Sequence, residues 1–313
     1  MSLDQVWSLD LQANQQTVTG VYRKRGSEQV RSQGRVLGDR SVLYKYLNPN
    51  LAAVIAEGQE PTTTTGTKSP TNSGPFFSLY LVDLVTGHLV YSQTHKRARG
   101  PVHVIHSEHW VLYSYFSERY RRTEVGILEL YEGKAQSNST AFSSFSPPSP
   151  PLVLRQAYIF PEPIYAMDVT VTEKGITSKN VMVALKMGGI LSLPKALLDP
   201  RRPVIPTRET MEEGTIPYVP EIGLSTEALV NYNQSAFQVR DVFTWPAGLE
   251  STSLVLVYGT DVFYTRVMPS RMFDVLKEDF DYLFIGSVLA LMILVSMITQ
   301  KLASRKGLAR AWK

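Results

Sequence analysis

Residues Leu79–Ser92 read LYLVDLVTGHLVYS. Apolar and β-branched residues crowd both halves, and Asp83-Leu-Val-Thr-Gly87 sits between them. Glycine at position 87 permits the positive φ that a tight reversal needs, and an aspartate can bond the backbone across it. The stretch therefore predicts strand, turn and returning strand, with Asp83 closing the first strand and His88–Ser92 leading back.

Working outward, the same short-strand grammar recurs. RSVLYKYL, LAAVIAEG, HWVLYSYF, EVGILELYEG, YAMDVTVTEKG, NVMVALKMGG, ILSLP and TSLVLVYGTDVFYTRV are rich in Val, Leu, Ile, Tyr and Phe, and many are bounded by Gly, Pro, Asn or Asp. Long helical periods are scarce before Pro269. Many short strands without intervening helices imply an antiparallel all-β architecture: sandwich, barrel or propeller. The Leu79–Ser92 hairpin has weaker echoes around Asp10, around Glu129 and at Gly188-Gly189, where VALKMGGILSLP must reverse direction. Recurring hairpins of this kind look like blades of a quinoprotein-type β-propeller. At roughly 40–45 residues per blade, residues 1–267 would supply about six. Gly188 and Gly189 are the structural turn residues of this reading.

Two Ser/Thr/Pro-rich stretches, residues 58–75 and 133–151, interrupt the pattern and read as exposed, mobile loops. The chain has no cysteine, which excludes disulfides, thiolate metal sites and cysteine nucleophiles. Its net charge is +4, but the tail from Lys301 carries five positive charges and no acid, leaving the rest at −1. That is not a nucleic-acid footprint. The basic runs Tyr22–Gly26 and Glu118–Arg122 read as solvated turns. His103, His106 and His109 are spaced three apart, which converges on neither a strand nor a helix face. They read as a hairpin turning at His106–His109, not as a metal site. No phosphate-binding loop or nucleophile elbow is present. The residues imply no catalytic, cofactor or metal site.

The C-terminal end changes character. Met272, Phe273, Leu276 and Phe280 share one face of a short amphipathic helix over residues 268–281. Residues 282–303 are long and apolar enough to cross a ~30 Å hydrocarbon core. Asp279 and Asp281 stand at one mouth of that span, as membrane-edge charges or as contacts for a basic partner. The basic tail, residues 304–313, stands at the other. Positive charge beside a span stays cytosolic, so the bulk of the chain is expected to be luminal or extracellular. Two sequons, Asn138-Ser-Thr and Asn233-Gln-Ser, favour that side as glycan acceptors. No secretory signal is visible at the N-terminus, which points to a C-terminal portion of a longer protein.

The hairpin at Leu79–Ser92, the stretch Gly175–Pro203 with its ITSK (Ile176–Lys179) and LDPRRP (Leu198–Pro203), and the single span closed by GLARAWK resemble subunit 1 of the endoplasmic reticulum membrane protein complex, over essentially the whole chain. The resemblance implies a type I protein of the ER membrane with luminal β-propellers. It also implies a scaffold role in an insertase that places tail-anchored and multipass transmembrane helices in the bilayer. The implied partners are the other subunits, client helices and lipid, with no nucleic acid and no cofactor. Two other readings remain, a membrane-tethered quinoprotein-type oxidoreductase and a luminal binding receptor.

Overall fold

A computed structural model describes residues 6–11, 15–59, 74–137, 142–146, 150–270 and 281–312. The chain divides into two compact units, Met1–Ser270 and Arg271–Lys313.

Among its described residues the first unit holds four antiparallel sheets. β1 (Gln16–Arg23), β4 (Leu51–Gln59), β5 (Pro75–Asp83) and β6 (Leu89–Lys96) form the first, in the order β1-β4-β5-β6. The second holds β2 (Gly34–Val36), β3 (Val42–Lys45), β7 (Ala98–Ser107), β8 (Trp110–Ser117), β9 (Arg122–Gly133) and β10 (Leu152–Phe160). Its centre is β9, which pairs β8 over Arg122–Glu129, β10 over Thr123–Tyr131, and β3 at Tyr131 and Gly133. The third is β11 (Ile164–Val169), β12 (Asn180–Leu185) and β13 (Ile190–Pro194). The fourth is β14 (Asp241–Pro246), β15 (Ser253–Tyr258) and β16 (Val262–Val267).

Successive sheets stack through three apolar seams. Phe77, Leu79 and Leu81 of the first sheet meet Val111, Tyr113, Leu128 and Leu130 of the second. The opposite face of the second, with Leu112, Val125 and Ile127, meets Met167, Val181, Val183 and Leu193 of the third. Ala166, Met182, Ala184 and Ile190 then meet Val242, Val255, Val257 and Val267 of the fourth. Along β9, Val125 and Ile127 point one way and Leu128 and Leu130 the other, which is why this strand reads as a nearly continuous apolar run.

The turn predicted at Thr86-Gly87 forms, with Gly87 at φ +72° and Gly87 N donating to Asp83 O at 2.8 Å. The turn at His106–His109 is a two-residue connection, Glu108-His109, between β7 and β8. Gly188 reverses the chain between β12 and β13 at φ +89°. The echo at Glu129 is not a hairpin, because β9 runs straight through it. Val6–Leu11, around Asp10, forms no strand either. Among the described residues four sheets stand where about six blades were expected. The second sheet absorbs six strands, and Arg201–Arg240 is largely irregular, with one short helix, α1 (Arg208–Glu212), and a 3-10 turn at Thr226–Ala228.

The described part of the second unit is one helix, α2 (Tyr282–Ala311), of 30 residues. Its length is about 45 Å, more than the ~30 Å a hydrocarbon core requires. It extends past the expected end at residue 303. Residues 304–311 are mostly Lys, Arg, Leu and Ala, good helix formers, and Gly307 alone does not stop them. Residues 271–280 of the expected amphipathic helix, Asp279 among them, lie outside the described residues, and residues 268–270 ahead of them are not helical. Residues 60–73, 138–141 (Asn138 among them) and 147–149 lie outside as well, while Ser144, inside the second stretch read as an exposed loop, is buried and donates to Asp83 Oδ2 at 2.7 Å.

Candidate functional site: a charged hub joining the sheets

The polar residues gather where the connecting segments converge. Leaving β1, residues 24–33 run past the other three sheets. Lys24 Nζ donates to Asn48 O at 2.8 Å. Arg25 pairs with Asp168 of β11 and donates to Thr244 Oγ1 of β14 at 2.9 Å and to its carbonyl at 3.1 Å. Thr244 Oγ1 donates in turn to Asp168 Oδ2 at 3.1 Å. Glu28 accepts from Ser107 Oγ, from Lys179 Nζ, and from Glu108 N at 3.2 Å. Arg31 Nε donates to Lys174 O at 3.2 Å. The basic run Tyr22–Gly26 is thus not the solvated turn its composition predicts: Lys24 and Arg25 are half-buried and bonded across the fold.

A second tier lies beside it. Lys45 Nζ is 3.0 Å from Glu108 Oε2, and Lys179 Nζ is 3.3 Å from Glu108 Oε1. Lys195 pairs with Glu129, which is fully buried and also accepts from Tyr131 OH. The Lys195 ammonium stands 5.6 Å over the Trp110 ring. Arg35 pairs with Asp199, whose Oδ1 accepts from Arg201 N at 2.9 Å and whose carbonyl accepts from Tyr158 OH at 2.7 Å. Arg202 Nη1 donates to Leu197 O at 2.7 Å. These groups surround a cavity of about 310 Å³ lined by Lys45, Glu108, His109, Glu129, Lys179 and Lys195, among others.

Burial alone would raise the Glu108 carboxyl, but the Lys179 and Lys45 ammonium groups hold it below the usual carboxylate range. Burial pushes Lys24 down to about 8, against the pull of Glu28 and Glu108. Burial likewise takes His109 to about 4 and His106, beside Lys24, to about 3, so both rings are neutral at pH 7. His109 Nδ1 lies 3.8 Å from Glu108, beyond hydrogen-bond reach, and neither of its ring nitrogens has a partner.

Lys179 Nζ is 2.8 Å from Ser107 Oγ, the spacing of a serine–lysine nucleophile pair. The chemistry does not follow. The ammonium already donates to Glu28 and stands against Glu108, so it offers no lone pair for the hydroxyl proton, and Ser107 is only 1% exposed. Every carboxylate of the hub is paired with a cation, and the hub clamps all four sheets.

The hub draws on the two stretches that stood out in the sequence. ITSK supplies Lys179, and LDPRRP supplies Asp199, Arg201 and Arg202. A family model described as "ER membrane protein complex subunit 1, second beta-propeller" matches residues 1–270. The chain belongs to the ER membrane protein complex subunit 1 family. A relative with that name in Xenopus laevis is 51% identical over the whole chain, which covers 31% of that protein. Another in Gallus gallus is 50% identical, also with 31% covered, and one in Schizosaccharomyces pombe is 33% identical, with 34% covered. The chain therefore spans about a third of the length of the curated relatives it matches. Family membership accords with the antiparallel sheets and with a C-terminal helix apolar enough to cross a membrane.

The described residues among the sequence-read site residues, Gly188, Gly189, Asn233 and Asp281, lie outside this hub. Gly188 and Gly189 form the tip of the β12–β13 hairpin, clipped by a following segment: Asn231 Nδ2 donates to Gly188 O at 2.9 Å, and Ala236 N does the same at 2.9 Å. Asn233 is exposed on that segment. Asp281 caps α2, its Oδ1 accepting from Phe284 N at 3.0 Å. Sequence reasoning missed the hub because its partners are far apart in the chain: 219 residues for Arg25 and Thr244, 151 for Glu28 and Lys179. The available signal was charged residues inside otherwise apolar strands, Glu129 above all.

Proposed function

We propose that this chain is a non-catalytic scaffold of the ER membrane protein complex, supporting insertion of tail-anchored and multipass transmembrane helices. The observation that carries the reading is family membership joined to a buried hub in which every carboxylate is paired with a cation. Buried networks of this kind fix geometry, and fixed geometry is what a scaffold contributes. The chain is held in the ER membrane by α2 as a single-pass type I protein. Its sheets lie in the lumen and the basic end of α2 in the cytosol, as the Lys301, Arg305, Lys306 and Arg310 side supports. Its partners are the other subunits, client helices and lipid. Asp279 and Asp281 meet a basic group of a neighbouring membrane subunit. Asn138 and Asn233 carry glycans.

The test is affinity purification of the tagged chain from solubilised ER membranes, with a reporter assay for tail-anchor insertion after depletion. Co-purification of the other subunits and reduced insertion are the expected results. Recovery of the chain alone, with insertion unchanged, would remove the reading. Glycosidase treatment checks the topology: the mobility should shift, and Asn138→Gln with Asn233→Gln should abolish the shift.

A further inference from the structure

The cavity inside the hub has donors to spare and no free carboxylate oxygen. Three carboxylates line it, and each of their six oxygens already faces a donor: Glu108 Oε2 faces Lys45 and Oε1 Lys179, Glu129 Oε1 faces Lys195 and Oε2 Tyr131 OH, Asp199 Oδ2 faces Arg35 and Oδ1 the Arg201 N–H. An ammonium carries three N–H bonds, and Lys45 and Lys195 each spend one, on Glu108 and Glu129. His109 lines the same cavity at 6% exposure with neither ring nitrogen partnered, so the N–H of its neutral ring also lacks an acceptor. The cations crowd one another as well. Burial takes the Lys195 ammonium down to about 8, with Arg35 and Lys45 pushing the same way and Asp199 and Glu108 pulling against them. These groups come from separate parts of the chain: Arg35 from β2, Lys45 from β3, His109 from the β7–β8 turn and Lys195 from the end of β13.

We propose that this cavity binds a phosphate group, free or carried by a small ester, between Lys45, Lys195, His109 and Arg35. A buried donor without an acceptor is costly, and an oxyanion supplies several acceptors at once. Phosphate suits the set better than a carboxylate. A tetrahedral oxyanion accepts from every side, as donors from four chain segments require, whereas a carboxylate accepts mainly in its own plane. The volume, about 310 Å³, is at the small end of the ~300–1,000 Å³ range of ligand pockets. A metal ion does not fit, since among the described residues no cluster of His, Asp and Glu could hold one. Ile176, 52% exposed, and the exposed Ser178 also line the cavity and give it a mouth on the surface. The bound anion would tie the second sheet to the segment leaving the third. A ligand that binds only the folded arrangement stabilises it.

The test is calorimetric titration of inorganic phosphate into the purified full chain, in detergent and phosphate-free buffer at pH 7 and fixed ionic strength. The chain is dialysed first, and any phosphate released on denaturing it is counted, so that a site already filled is also detected. Saturable binding of one phosphate per chain is expected, with none of chloride. Lys45→Met leaves Glu108 its contact with Lys179 and should weaken binding roughly tenfold or more. His109→Phe keeps a ring against Tyr131, 5.0 Å away, and removes only the nitrogens; it should weaken binding about threefold or more with no change in charge. Either variant decides the matter if the other fails to fold. Arg208→Gln removes a charge at a side chain 91% exposed and should leave binding unchanged. Glycerol phosphate that displaces inorganic phosphate supports an ester as the ligand, and failure to displace it supports the free anion. Absence of both saturable binding and released phosphate overturns the proposal, as does binding that Lys45→Met and His109→Phe leave unchanged. Malonate bound as tightly as phosphate would make this a carboxylate site and overturn it equally.

Discussion

The apolar seams and the charged hub are both buried and both join sheet to sheet, yet they follow different rules. A seam is a sum of many small contacts, so losing part of one side chain costs in proportion to the volume removed. The hub is a set of matched charges. Losing one member strands another in a medium that cannot solvate it, whereas losing both leaves little behind. The seams make the stack stable, and the hub makes one arrangement of the four sheets preferable to its neighbours.

The largest effect should come from acid, which attacks the hub and one seam together. His109 at the hub and His95 in the first seam, stacked on Phe77 at 4.9 Å, are both held near 4 by burial, and His106 near 3. Their folded values lie below the unfolded 6.5, so the unfolded chain takes up protons first. Stability is full above about pH 6.5 and falls as the pH drops toward 4, on the order of 1 kcal/mol per histidine per pH unit. Glu108, also held low, adds a further loss below its unfolded value of 4.5. Urea midpoints at pH 7, 6 and 5 should fall steadily. A flat series would show that the histidines are not buried as described.

Next is Lys195→Met, which leaves Glu129 fully buried without its cation and should cost about 3–5 kcal/mol. Lys195→Met with Glu129→Gln should recover much of that loss. If the double variant is as unstable as the sum of the singles, the two residues do not act as a pair.

In a seam, Leu128→Ala should cost about 2–5 kcal/mol, and no second substitution elsewhere in the seam should rescue it. Rescue of the kind expected at Lys195 would erase the distinction between the two regions.

Gly188→Val should cost about 1–3 kcal/mol, because the residue sits at φ +89° and its new Cβ would stand 3.0 Å from Ser235 Cβ. That displacement reaches the third seam through the neighbouring Ala236. Loss of protection on exchange should therefore spread from residues 186–190 to 230–236. A loss confined to the turn would separate the hairpin from the seam.

Local pattern was enough for what depends on neighbours in the chain. Alternation and β-branched runs gave most strands, Thr86-Gly87 and Gly188 gave two turns, and an uninterrupted apolar run gave α2. It missed β2, β10 and β14, whose GRV, LVLRQAYIF and DVFTWP mix polar residues into short strands. It placed Arg25 in solvent and a turn at Glu129, because a charge in a local window carries no sign of what lies opposite. Burial of either group is tolerable only with its partner, and the partners lie 143 residues away for Arg25 and Asp168 and 66 for Glu129 and Lys195. Secondary structure and the membrane-length helix are properties of the sequence by itself, since backbone hydrogen bonding and the period of apolar residues are short-range. Which sheet faces which, and which charges can be buried, were decided only when the stacked sheets brought those distant groups within bonding distance.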